Sequence, residues 1–231
     1  MWLHVDGAFG SLVILDPKRR HLVSGIDQSD SLAFDFHKWL HVPYESGCVL
    51  VRDPNLLLQT FSANQSYLLK FERGITGDAP WPNSLGPEMS RSFRALKVWF
   101  TLKEHGMKKL GEKIAENCEQ AQYLVSLLEK HNSFVRIARP VVLSIVNFRF
   151  EPNELSKANP EVIDDFNNEL MADIQVSGVA APSTTRIAQR LYIRVAITSH
   201  RCNLQDFDLF VETLMKFYHS RLRSIGDKNV N

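Results

Sequence analysis

Asp30-Ser31-Leu32-Ala33-Phe34-Asp35-Phe36-His37-Lys38-Trp39 is the stretch on which the reading of this sequence turns. Ser31 to Phe34 has strand character and runs directly into a His-Lys pair held between Phe36 and Trp39. Apolar neighbours would desolvate the amine, and the adjacent imidazole adds a second potential cation. Both favour a neutral, nucleophilic lysine able to attack a carbonyl. A lysine beside aromatic rings also lies along them with its ammonium in water. Taken alone, the stretch leaves both readings open.

A second segment, His4-Val5-Asp6-Gly7-Ala8-Phe9-Gly10, has the same organisation. Strand-like residues from Trp2 to Val5 reach an acid, which places a carboxylate at the carboxyl end of a strand, where open α/β sheets hold ligands. Gly7 and Ala8 leave room for a flat group. An aspartate in such a place also caps the turn that follows. Together the two segments say more than either. An amine and a carboxylate delivered from the ends of separate strands are what pyridoxal phosphate requires: an imine anchor, and a partner that keeps the pyridine nitrogen protonated.

Outward from these segments the elements alternate. Gly47 to Val51 is a further strand, and Gly74 to Pro87 holds too many glycines and prolines for a helix, which predicts a long surface loop. Met89, Phe93, Leu96, Val98, Trp99 and Leu102 recur at helical spacing after Pro87, and Gly106 ends that helix. A second amphipathic helix is predicted from about 107 to 131, a β-rich run from Val141 to Phe150, and a helix from Glu161 to Ile174. A strand from Leu191 to Ile197 and a closing helix from Leu204 to Tyr218 follow, with 221–231 as a frayed polar tail. The pattern is α/β, divided at the Gly106 break into residues 1–105 and 106–231.

Composition narrows the classes. The 231 residues carry 27 Lys and Arg against 26 Asp and Glu, a formal charge of +1 with the signs interspersed, so no field draws a nucleic-acid backbone or an anionic membrane. No apolar run approaches the length of a membrane span. Cys48, Cys118 and Cys202 lie far apart, without metal-ligand spacing, as expected of reduced thiols in a cytoplasmic protein. Neither H-E-x-x-H nor G-x-S-x-G occurs, so zinc proteolysis and serine hydrolysis have no motif, and no metal ligand set is proposed.

On these residues the sequence resembles the group II pyridoxal-phosphate-dependent amino-acid decarboxylases, a fold-type-I family. The likeness includes Val42-Pro43 and Gly47 to Arg52 after the lysine, then Arg91 to Trp99, and Tyr192 to Ala196 leading to His200-Arg201. It implies an aspartate-aminotransferase-like architecture: 1–105 as the latter part of a mostly parallel large domain, and 106–231 as a small α+β domain. It implies Lys38 as the Schiff-base lysine, Asp6 as the partner of the pyridine nitrogen, and His37 and Ala8 beside the cofactor. Tyr67 matches a tyrosine that protonates the substrate carbon after carbon dioxide leaves. Arg194 matches an arginine that in the glutamate-specific branch of the family binds substrate carboxylate; a structural ion pair in the small domain is the other reading for it. Arg149 lies in a matching strand without an assigned role.

The resemblance implies an L-amino-acid substrate, aromatic before acidic because of the sequence around Tyr67, and a homodimer once the family's amino-terminal half is supplied. That half carries most of the phosphate loop, so the chain is expected to be a carboxyl-terminal part with an unpaired sheet edge. An aldehyde synthase is a neighbouring possibility, distinguished by peroxide and ammonia release. A cofactor-free interaction module is another, distinguished by its absorption spectrum. Phe36 and Phe9 replace a common proline and tryptophan, and Asp35 stands where asparagine is frequent. A carboxylate facing phosphate would repel it, so Asp35 is expected to point elsewhere or to accept backbone N–H groups.

Overall fold

The computed structural model describes residues 1–62, 73–74 and 81–228, without the side chains of 226–228. The chain divides into two compact units, 1–112 and 113–231.

In the first unit β1 (His4–Asp6) runs parallel to β2 (Ser31–Asp35), with Val5 opposite Leu32 and Asp6 opposite Ala33. β3 (Gly47–Val51) pairs antiparallel on the other side of β2, with Asp35 opposite Gly47. Polar residues fix the register where the strands begin. The Ser31 hydroxyl meets Trp2 Nε1 at 2.9 Å and His4 Nδ1 at 2.7 Å, and the Asp30 carboxylate accepts the Leu3 N–H at 2.6 Å. The chain returns from β1 to β2 through short 3-10 turns, which bury Leu12 and Val13. α1 (Phe36–Trp39) follows β2 at once and adds Trp39 to the core with Leu40 and Val42. α2 (Pro54–Phe61) starts where Asp53 accepts the Asn55 N–H and Pro54 takes an early helical position.

α3 (Arg94–Glu129) starts later than its apolar spacing predicts. Met89 and Phe93 fit the helical period but stay 55% and 73% exposed, so no burial holds an extra turn ahead of Arg94. Arg94 instead gathers Glu45 (2.7 Å) and Glu88 (2.9 Å), and its guanidinium holds the Glu88 carboxyl below the usual range. At Gly106 the backbone takes φ 73° and ψ 153°, a left-handed conformation that breaks the helical path at the expected residue.

The second unit is an antiparallel sheet in the order β4 (Val135–Ile137), β5 (Ile145–Phe150), β7 (Arg190–Ala196), β6 (Ser183–Ile187). Val146, Phe148 and Phe150 alternate to one face of β5 and pack with Ile193, with Leu170 and Ile174 of α4 (Pro160–Ser177), and with Leu214 of α5 (Leu204–Lys228). The strand predicted from Val141 begins only at Ile145. The tail predicted from Arg221 is helix as far as Lys228, the last described residue, because Arg221 reaches Asp173 (2.7 Å) and Glu169 (3.2 Å) on α4 and ties down the turns after Tyr218. Two buried polar contacts close the end of this sheet. Asn167, fully buried, accepts the Phe150 N–H at 2.7 Å and donates to the Phe150 carbonyl at 2.9 Å, as a neighbouring strand would. Arg149 meets Asp164 (3.2 Å) and Glu151 (3.3 Å), so its role is a structural ion pair. No described helix is long and apolar enough to cross a membrane.

Candidate active site

Because β1 and β2 are adjacent and parallel, their carboxyl ends lie at the same end of the sheet. Asp6 closes β1 opposite Ala33. β2 continues to Asp35, and α1 then presents His37 and Lys38. The ladder extends one bond past Asp6, from the Gly7 N–H to the Ala33 carbonyl at 2.8 Å. Beyond it the Phe9 ring lies flat on Trp39, with centroids 4.6 Å apart and planes 13° from parallel. This stack ties the loop after Asp6 to the residue after Lys38. Gly7 permits the approach: a Cβ there would lie 2.5 Å from Ser11 Cβ and 2.9 Å from a Leu32 methyl.

Asp6 is exposed, and one carboxylate oxygen accepts the Ala8 N–H at 3.1 Å, the turn-capping contact. Its other oxygen has no hydrogen-bond donor among the described residues. His37 Nδ1 accepts the Ser46 N–H at 2.9 Å, so in the neutral ring the proton is on Nε2, and Tyr44 packs edge-on against the imidazole at 4.6 Å. The Lys38 surroundings differ from the desolvated setting predicted. The side chain is 42% exposed and its amine is bound to Asp35 Oδ2 at 2.6 Å. Of the two alternatives expected for Asp35, the backbone contact is not made at the start of α1; the carboxylate serves the lysine three residues on, a pairing the sequence reading missed. A four-residue helix has too little period to announce an i,i+3 contact.

Ala8 is half-buried between Asp6 and the Phe9 stack. Arg194 belongs to β7 of the second unit, opposite Asn147 on β5 and Ser183 on β6, and the guanidinium has no ion pair among the described residues. The buried Asn147 side-chain oxygen in the same row has no hydrogen-bond donor there either. Tyr67 lies outside the described residues. Thus Asp6, Ala8, His37 and Lys38 share one sheet end, and Arg194 belongs to the other unit.

A flat heteroaromatic aldehyde phosphate suits this donor set: an accessible amine, a carboxylate with an unused oxygen, and an imidazole N–H. The comparisons agree. The model of the pyridoxal-dependent decarboxylase conserved domain matches residues 1–151, and the chain belongs to that family. An aromatic-L-amino-acid decarboxylase of Bacillus atrophaeus is 34% identical over 206 residues, 89% of this chain and 42% of that protein. Tyrosine decarboxylase 4 of Petroselinum crispum is 30% identical, over 85% of this chain and 39% of its own length. A crystal structure of Oryza sativa TDC with PLP and tryptamine superposes with a TM-score of 0.83 at 26% identity, covering 93% of this chain and 44% of that one. The chain therefore spans about two fifths of the curated relatives it matches. The solved neighbours are fold-type-I enzymes, and the α/β architecture is of that type.

Proposed function

We propose that this chain carries the lysine-bearing part of an enzyme that decarboxylates an aromatic L-amino acid to its amine with pyridoxal phosphate. The observation that supports the reading is that Asp6 ends β1 and Lys38 follows β2 at the same end of two adjacent parallel strands, with Phe9 after Asp6 stacked on Trp39 next to Lys38. Unit 1–112 is read as the latter part of the cofactor-binding domain and 113–231 as the small domain. The aromatic preference is supported by relatives named as aromatic-L-amino-acid and tyrosine decarboxylases.

When bound, the cofactor supplies an electron sink for the pair left as carbon dioxide departs. The residues of this chain do the rest. The Lys38 amine is the covalent anchor. The unused Asp6 oxygen keeps a proton on the ring nitrogen, and the His37 Nε2–H donates to the bound group. Ala8 leaves its face of the site open. Tyr67 delivers a proton to the substrate carbon, and the Arg194 guanidinium receives the substrate carboxylate. The reading includes a homodimer, from the family resemblance, and a cytoplasmic setting, consistent with three free thiols.

The test is an absorption spectrum of the folded protein with pyridoxal phosphate. A band at the edge of the visible that is removed by Lys38→Ala is expected. A folded protein without such a band overturns the cofactor assignment. Where turnover is measured, amine with carbon dioxide is expected, and aldehyde with peroxide and ammonia would replace decarboxylation by the synthase reaction.

A further inference from the structure

We propose that Asp35 is a positioning residue that restrains the Lys38 amine until a carbonyl ligand takes it. The inference rests on the reading of Lys38 as the cofactor anchor. Asp35 occupies the N-cap position of α1, where an aspartate ordinarily accepts a backbone N–H of the first turn, yet its side chain makes no such cap. One oxygen is given instead to Lys38 Nζ at 2.6 Å. The other lies 3.1 Å from the point where a Cβ on residue 47 would be, so Gly47 leaves the space the carboxylate fills.

The backbone around the carboxylate is held on both sides. Asp35 pairs with Gly47 across the β2–β3 ladder, and the next N–H, Phe36, bonds to the Ser46 carbonyl at 2.9 Å. With the backbone fixed and the Asp35 side chain only 20% exposed, the carboxylate is a stationary partner, and the lysine is the member free to leave. For the amine to react, the ammonium gives up a proton to water and leaves Asp35. The neutral nitrogen adds to the aldehyde carbon, and the carbonyl oxygen departs as water, leaving a C=N bond. The ion pair therefore opposes loading, and removing its charge frees the amine.

The measurement is the rate of borohydride-trapped mass at Lys38, read by peptide mass spectrometry and divided by the rate at exposed Lys130 in the same sample. The probes are pyridoxal phosphate and, separately, pyridoxal, which lacks the phosphate. Asp35→Asn keeps the shape and loses the charge, and is expected to raise the ratio about two- to fivefold with both probes, the range for a partly exposed ion pair. Asp35→Glu, which keeps the charge, is expected to leave it within about twofold. An unchanged or lowered ratio in Asp35→Asn overturns the inference while leaving the Lys38 anchor standing. A rise with pyridoxal phosphate alone also overturns it, because the carboxylate would then be repelling phosphate rather than holding the amine. Trapping at other lysines with Lys38 unmodified in every protein removes the anchor reading and this inference with it. Unfolding would expose Lys38 further and leave the already exposed Lys130 unchanged, so the ratio is compared between proteins with matching circular-dichroism spectra, and a rise found only with an altered spectrum overturns the inference.

Discussion

At the scale of single residues, Asp6 and Gly7 make different demands on the chain. The hydrogen bond Asp6 makes is exposed, so Asp6→Asn is expected to change unfolding free energy by no more than about 1 kcal/mol. In the proposed reaction the same change removes the charge that holds the ring proton, at a cost on the order of a hundredfold or more in decarboxylation rate. Denaturant titration and a rate measurement on one protein check the separation. Gly7→Ala should do the reverse and destabilise the first unit by about 1–3 kcal/mol, read as a lowered denaturant midpoint, because its Cβ would press on Ser11 and Leu32. Lys38 and Asp6 stand out in the sequence because each follows a strand-like run, and both fall at one end of the β1–β2 pair; His37 and Ala8 enter through the family resemblance. Asp35 is legible as a residue and not as a partner, since the contact depends on where a four-residue helix turns the lysine.

At the scale of elements, contacts between segments decide what local pattern cannot. The Phe9–Trp39 stack joins the loop after β1 to α1, thirty residues on, and Trp39 is fully buried. Trp39→Ala is expected to cost about 3–5 kcal/mol, measured by equilibrium unfolding, and to lower the yield of Lys38 trapping as the α1 position loosens. Asn167 bonds the Phe150 backbone past the point where the β5–β7 pairing ends at Phe148, a role with no periodic signal over the separation of 17 residues. Asn167→Leu would leave the Phe150 N–H and carbonyl without those partners, a loss of about 1–3 kcal/mol for each group left unsatisfied. β4 and β6 also escape sequence reading. β4 has three residues, and β6, Ser-Thr-Thr-Arg-Ile, becomes a strand through its pairing with β7 rather than through any apolar alternation. The long amphipathic stretches are legible, and their ends are not: α3 starts at Arg94 and α5 passes Arg221 because ion pairs and burial set those limits.

At the scale of the whole molecule, charge buried in the second unit sets a pH dependence. Burial alone would raise the Asp164 carboxyl, but the Leu191 N–H, Arg186 and Arg149 outweigh it and hold the group below the ordinary carboxylate value. A depressed folded value means that its contribution to stability is complete above the unfolded value of about 4 and is lost as pH falls through the folded one. Acid unfolding of the second unit should therefore steepen below about pH 4, and Asp164→Asn should flatten that limb in circular-dichroism titrations. At the alkaline end Tyr218 is pushed up to about 12, first by burial and then by Glu154. Its contribution is present below its unfolded value of about 10 and lost as pH rises toward the folded one.

The four tryptophans of the chain are optically unequal. Trp2 and Trp99 are each about half exposed, whereas Trp39 is shut away from solvent against Phe9 and covalently next to Lys38. A quencher dissolved in the buffer will darken the outer indoles first and leave a blue-shifted residue of emission from position 39. A chromophore attached at position 38 will drain that same remnant by energy transfer, so the protein carries its own gauge of occupancy, readable without dye or turnover.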